Sequence, residues 1–197
     1  HIRAILFAPR QKQQINRQLA ECVILEVTAA ANAKTGSREL RLITGVGVTN
    51  PMVFQIGRLP EVQELEPNSR QAFMSARTLP AKIELPEPAV LLLPVVLNGQ
   101  ILPGDVDRFR FHAKTGDSLL IKTHARTLIP YLADAVPGWF QAVVTLYDKE
   151  GTEVAYADDD RFHPDPAFRY TLPKAGQYEL AIRDALYRGR EDFVYRV

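Results

Sequence analysis

Alternation of apolar and polar residues is the feature that most constrains how this chain folds. Between residues 107 and 112, Phe109 and Phe111 alternate with charged side chains. Side chains of a β-strand point in turn to its two faces, so a period of two predicts a strand with one buried face. The same period recurs at 22–28, 38–43, 52–56, 118–124, 142–146, 178–182 and 193–197.

Turn-forming residues separate these predicted strands. Gly, Pro, Asp and Asn cluster between them, and in the second half the strands recur at roughly 8–12-residue spacing, which is typical of a sandwich or jelly roll. The sequence favours one short helix, 128–136, which Pro137 and Gly138 end. A doubly wound α/β fold needs several crossover helices, so we predict an all-β chain.

Proline and acidic residues divide the chain into three predicted parts. Six prolines lie between Pro60 and Pro94, and proline lacks the N–H group that a β-ladder needs. We therefore predict a partial β-sandwich at 1–59, an acidic, Pro-rich linker or extended edge segment at 60–94, and a jelly roll at 95–197. The chain begins with His1, and we expect it to be a piece of a longer protein.

Four stretches of the second half occur in the order of a known set of motifs. Residues 64–68 read ELEPN, 104–111 read GDVDRFRF, 146–151 read LYDKEG with ADDD at 157–160, and 176–180 read GQYEL. These residues resemble the bacterial pre-peptidase C-terminal domain, a jelly-roll module, over about 61–197. The stretches GSRELRL at 36–42 and TNPMVF at 49–54 resemble the end of an immunoglobulin-like domain. The pair of resemblances is typical of large exported proteins of planctomycete-like bacteria.

The resemblance to the pre-peptidase domain implies a calcium site. Calcium takes about 6–8 oxygen ligands, which carboxylate and amide side chains supply. Carried over by motif, the ligands are Glu64, Glu66, Asn68, Asp105 and Asp107. Ser69 stands where the family usually has an acid after the asparagine. The alternative is that these acids are solvated side chains at a domain joint.

Two further clusters allow a functional and a structural interpretation. The acidic run 158–165 lacks the glycine and glutamate of an EF-hand, which favours a turn whose Asp side chains cap backbone N–H groups. Aromatic residues in an insertion at 129–141 would offer a surface to a sugar or a peptide, or would close the mouth of the sandwich, which we favour for Trp139. The candidate binding residues are Tyr131, Trp139 and Phe140.

Other function classes have little support in the sequence. A formal charge of +1 offers no broad basic field to nucleic acid, and the longest apolar run, 89–97, is too short to span a bilayer. No Gly-x-Ser-x-Gly motif occurs, His112 and His124 lack the spacing of a zinc protease, and the single Cys22 has no nearby histidine. We predict no catalytic residue.

We therefore predict a non-catalytic accessory or adhesion module of a larger exported bacterial protein, supporting secretion, spacing or contact with a substrate or surface. The alternatives are a non-catalytic part of a secreted peptidase, a cryptic hydrolase, or a carbohydrate- or protein-binding module. The expected partners are other domains of the same polypeptide and an extracellular protein or polysaccharide. The expected location is extracellular, at the cell surface or periplasmic.

Overall fold

The computed structural model describes residues 25–64, 90–128, 140–190 and 192–197. It divides the chain into two compact units, His1–Ala33 and Lys34–Val197. Of the predicted strand at 22–28, residues 25–28 are described. They are not a strand, and both Leu25 and Val27 are exposed. The prediction is wrong for these residues, which pair with no strand in the described part of the chain.

Thirteen strands are described, all within the second unit. Their bounds are β1 Gly36–Leu40, β2 Ile43–Thr44, β3 Gly47–Val48, β4 Met52–Ile56, β5 Glu61–Gln63, β6 Val96–Gln100, β7 Asp107–Ala113, β8 Ser118–Lys122, β9 Ala142–Tyr147, β10 Glu153–Ala157, β11 Ala167–Thr171, β12 Gly176–Asp184 and β13 Val194–Arg196. A 3₁₀ helix covers Arg126–Leu128. The rest of the predicted helix 128–136 lies outside the described residues. The all-β prediction is confirmed.

The strands β5 to β13 form two sheets. The first is antiparallel, in the order β10-β9-β12-β7. The second joins the pair β11-β8 to the trio β13-β6-β5, because His124, just after β8, exchanges two backbone hydrogen bonds with Arg196. β5 is an edge strand and pairs with β6 in parallel. The two sheets enclose one apolar core, which makes this part of the chain a β-sandwich.

The period of two correctly predicts which side chains face the core. On β7, Phe109 and Phe111 are buried and Arg108 and His112 are exposed. Similarly, Tyr178, Leu180 and Ile182 of β12 are buried in the core. β9 departs from the prediction, because Val143 and Thr145 are buried as well as the core-facing side chains that flank them. The first sheet therefore has buried side chains on both of its faces.

The segment from β1 to β4 is a single long hairpin. β1 pairs with β4 and β2 with β3, so the chain turns once, at Gly45 and Val46. No side chain between residues 25 and 60 is buried. A two-stranded hairpin encloses no core, so the described part of 1–59 lacks the buried interior that a sandwich of its own would have. The predicted boundaries at 59 and 94 stay predictions.

The contrast between core and surface leucines yields a stability test. Leu146 has no exposed surface and Leu120 is 66% exposed. We expect Leu146→Ala to lower the free energy of unfolding by about 2–5 kcal/mol, because it leaves a cavity between the sheets. Leu120→Ala should change it by less than about 0.5 kcal/mol. Urea denaturation measures both, and equal losses would contradict the assignment of the core.

Candidate functional site

Two acidic side chains meet a tyrosine where the two sheets approach each other, and a third lies close enough to act on one of them through its charge. Asp107 opens β7 on the same face as Phe109, so the alternation that builds the core also carries a carboxyl group into it. The Tyr195 hydroxyl, on β13 of the opposite sheet, donates to Asp107 Oδ2 at 2.6 Å. It also lies 3.1 Å from Oε2 of Glu64, which follows β5. We call Glu64, Asp105, Asp107 and Tyr195 the acidic cluster.

Backbone geometry on β6 makes room for this cluster. The Gln100 N–H donates to Glu64 Oε1 and holds that carboxyl over the strand. A Cβ atom at Gly99 would overlap both the Tyr195 ring and the Glu64 carboxyl. Glycine at this position is therefore what lets two polar side chains lie directly on the backbone of β6.

Burial and proximity strongly perturb the protonation of Asp107. Desolvation, followed by the hydrogen bond with Glu64 and its charge, raises the pKa of Asp107 to about 10. Desolvation and the same carboxyl groups raise the pKa of Tyr195 well above its usual range. A phenol has one proton and cannot donate to both carboxylates, so the remaining hydrogen bonds need a proton on a carboxyl group. Burial and the neighbouring carboxyl groups therefore favour the protonated form of Asp107 in the folded state.

Asp105 contributes to the cluster through its charge and orders the loop before β7. Its Oδ1 accepts from the Val106 N–H at 2.9 Å and its Oδ2 from the Leu102 N–H at 3.5 Å. Its charge adds to the forces that keep Asp107 protonated. The side chain is buried, so its negative charge is held close to the pair formed by Glu64 and Asp107.

Of the five predicted calcium ligands, the structure describes three. Glu64, Asp105 and Asp107 are neighbours, whereas Glu66 and Asn68 lie outside the described residues. Among the residues that the structure does describe, no three His, Cys, Asp or Glu side chains form a metal-binding group. Carboxyl oxygens suit calcium or magnesium better than zinc, and the calcium site itself stays a prediction.

Tyr195 is the member of the cluster that the sequence analysis missed. Its inward orientation was predictable from the alternation at 193–197, and a buried tyrosine hydroxyl needs a polar partner. The only inward-facing carboxyl group on β7 is Asp107. That combination was the available signal.

Phe140 belongs to the core rather than to an exposed aromatic surface. It is buried and stacks on Phe193, with ring centroids 5.3 Å apart and planes 15° apart. It also lies against Tyr195, at 6.5 Å. Its side chain is therefore closed to a ligand, while Tyr131 and Trp139 lie outside the described residues.

The acidic run 158–165 forms a turn, as predicted. Asp160 and His163 exchange two backbone hydrogen bonds of 2.9 Å around Arg161 and Phe162, both of which have positive φ. This is the geometry of a two-residue hairpin turn. Asp165 caps the 3₁₀ helix by accepting from the backbone N–H groups of Arg126 and Thr127, at 2.7 and 3.0 Å.

His124 lies near a hydroxyl and a carboxylate, but in the wrong order for nucleophile activation. The Thr127 hydroxyl donates to Asp165 at 2.6 Å, while a ring nitrogen of His124 lies 3.3 Å from the same hydroxyl. In a catalytic triad the histidine stands between the hydroxyl and the acid. Burial, and then the charge of Lys122, lower the pKa of His124. The arrangement is a capping network.

Comparison with known proteins gives two similarities. No protein-family model matches the chain. Over 80 residues, or 41% of the chain, it is 35% identical to a probable subtilase-type serine protease of Deinococcus radiodurans. A solved pre-peptidase C-terminal domain of collagenase from Bacillus anthracis is similar with a TM-score of 0.38 and 15% identity, over 58% of this chain and 96% of that one. The matched stretch is 10% of the length of the Deinococcus protein, so the chain corresponds to a small part of that relative.

Proposed function

We propose that this chain is a non-catalytic accessory module of a larger exported protein of the peptidase type. The observation that carries the proposal is the 35% identity over 80 residues to a tenth of a probable subtilase-type protease. A stretch of that length is the size of one domain rather than of a peptidase. The ordered motifs that resemble the pre-peptidase C-terminal domain support the same interpretation.

In this proposal the sandwich is a rigid support that spaces or positions the catalytic part of the polypeptide. A β-sandwich presents its loops on a stable scaffold, which suits adhesion and contact with a substrate or surface. Its immediate partners are other domains of the same polypeptide. Its location is outside the cytoplasm, in the medium, at the cell surface or in the periplasm. In the part of the chain that the structure describes, no helix is long and apolar enough to cross a membrane.

A serine-hydrolase probe separates this proposal from a cryptic hydrolase. We expect the purified chain to remain unlabelled by a fluorophosphonate probe and to leave casein intact, with subtilisin as the positive control. Labelling that is abolished by replacing one serine, for example by Ser118→Ala, would establish a catalytic nucleophile and overturn the proposal.

We further propose that the module binds calcium through Glu64, Glu66, Asn68, Asp105 and Asp107. The support is the buried acidic cluster, in which Asp107 has no exposed surface and interacts with two other carboxyl groups. A divalent cation would take the place of the shared proton and offset the negative charge of the carboxyl groups when Asp107 is ionised. Its effect would be structural, holding the acidic segment that follows β5 against β6 and β7.

Calcium should raise the melting temperature of the protein. A ligand that binds only the folded state stabilises it, and free calcium at about 100 times its Kd should raise the Tm by about 5–10 °C relative to chelator. Differential scanning fluorimetry measures the shift. Asp107→Asn should abolish most of it, and an unchanged Tm in millimolar calcium would rule out the site.

The raised pKa of Asp107 predicts how the free energy of unfolding depends on pH in the absence of metal. Its pKa is about 10 in the folded state against 3.8 for the ordinary carboxyl group, so the folded state binds this proton more tightly. The resulting stabilisation is complete below about pH 4 and is lost as the pH rises towards 10. Asp107→Asn keeps a neutral side chain of similar shape and should flatten the fall in stability between pH 5 and 9.

The matched control for this pH series is Glu150→Gln, which neutralises an exposed carboxylate on the β9–β10 turn. Urea denaturation in chelator gives the free energy of unfolding at each pH. We expect the control to keep the wild-type slope. An identical slope in wild type and Asp107→Asn would show that Asp107 does not retain its proton on folding.

A further inference from the structure

On the side of the first sheet that points away from the core, three small side chains are buried among longer ones. Val143, Thr145 and Ala181 point away from the core and are nevertheless buried. They are neighbours across β9 and β12, where Ala181 pairs with Thr145. Longer side chains surround them on the same face, namely those of Tyr147, Tyr156, Arg108 and Arg183. We call this surface the outer face.

Three tyrosines are held in place on or beside the outer face. Tyr156 of β10 is paired with Thr145 of β9, and Tyr147 lies two residues further along β9, so the two tyrosines are diagonal neighbours on the same face. Tyr156 is 47% exposed and Tyr187 is 53% exposed. The guanidinium of Arg183 lies 4.8 Å from the Tyr187 ring centroid, and that of Arg108 lies 5.6 Å from the Tyr147 centroid. These two contacts limit how far the rings of Tyr187 and Tyr147 can rotate, and the Tyr156 hydroxyl donates to Asp158 at 3.2 Å.

The backbone conformation and hydrogen bonds of Tyr187 fix the place from which its side chain extends. Its φ is +55°, a conformation that a tyrosine rarely adopts. The Gly104 N–H donates to the Tyr187 carbonyl at 2.9 Å, and the Tyr187 N–H donates to the Asp184 carbonyl at 3.0 Å. Residues held in such sparsely populated conformations tend to occur where a loop serves a function.

Charges on the outer face are balanced. Glu179 pairs with both Arg108 and Arg110, accepting from Arg110 Nε at 2.9 Å. Arg183 donates to the main-chain carbonyls of Asp184 and Ala185. The outer face thus carries three guanidinium groups and three carboxylates, those of Glu153, Glu179 and Asp158. A surface without net charge does not attract a polyanion or a polycation.

We propose that the outer face binds a neutral, β-linked polysaccharide, a proposal that rests on the accessory-module function. Sugar rings with equatorial hydroxyls have apolar C–H faces, which pack on tyrosine rings. Their hydroxyls donate to carboxylates and accept from guanidinium groups, and both are present beside the rings. An extended, ribbon-like β-linked chain can present successive ring faces to the tyrosines of a sheet surface, which a coiled α-linked chain does less well.

Affinity electrophoresis tests this proposal with defined polymers. Native gels contain hydroxyethyl cellulose or glycol chitin as neutral β-linked chains, and soluble starch or polygalacturonate as comparators. We expect a β-linked polymer to retard the wild-type protein, with no retardation by the comparators. Tyr156→Ala and Tyr187→Ala should each weaken the association constant by about 3- to 10-fold, through the loss of one stacking ring.

Phe162→Ala is the matched control, because Phe162 is a fully exposed aromatic residue on a turn outside the outer face. It should be retarded as the wild type is, and the melting temperature of each variant verifies its folding. No retardation by either β-linked polymer, equal weakening by Phe162→Ala, or retardation by polygalacturonate alone would overturn the proposal. Such a result would leave the accessory-module function standing, since that function is tested by the absence of hydrolase activity.

Discussion

The hydrogen bond between Tyr195 and Asp107 is the buried polar contact that constrains how the two sheets pack. It joins β13 of one sheet to β7 of the other at 2.6 Å, inside the apolar core. A buried hydroxyl or carboxyl group without a partner costs more than a single hydrogen bond returns, so each residue constrains the position of the other. Glu64, which directly follows β5 of the second sheet, contacts the same pair. Side chains on or next to three strands, β5, β7 and β13, thus meet in one polar cluster.

Local patterns in the sequence predict the strands that form the core but not the contacts between them. The alternation at Phe109 and Phe111 correctly gives the inward face of β7, and the density of Asp residues at 158–165 correctly indicates a turn. The contact of Glu64 with Tyr195 joins residues 131 positions apart. A period of two carries no information about such a pairing, because it specifies a face and not a neighbour.

The alternation of apolar and polar residues also fails to predict which side chains on the outer face are buried. Val143 and Thr145 lie on the side of β9 that alternation assigns to solvent, yet both are buried. Both lie on a strand with a neighbour on each side, and Thr145 is paired with the long side chain of Tyr156. Tyrosine and arginine stems cover small neighbours while their polar ends stay in water. The sequence alone does not say which small residues will lie beside them.

The acidic cluster and the outer face are connected through one short loop. Asp105 lies in the segment 102–105 that leads into β7, and the Gly104 N–H in that segment donates to the Tyr187 carbonyl. On the other side of the same loop, a Cβ atom at Gly189 would overlap the backbone of Leu102 and Pro103, so the two loops touch without intervening side chains. An ion bound at Asp105 would therefore act on the backbone that positions Tyr187. Calcium and glycan binding, measured together, should be coupled if both proposals hold, because closely packed backbone segments transmit small displacements rather than absorb them.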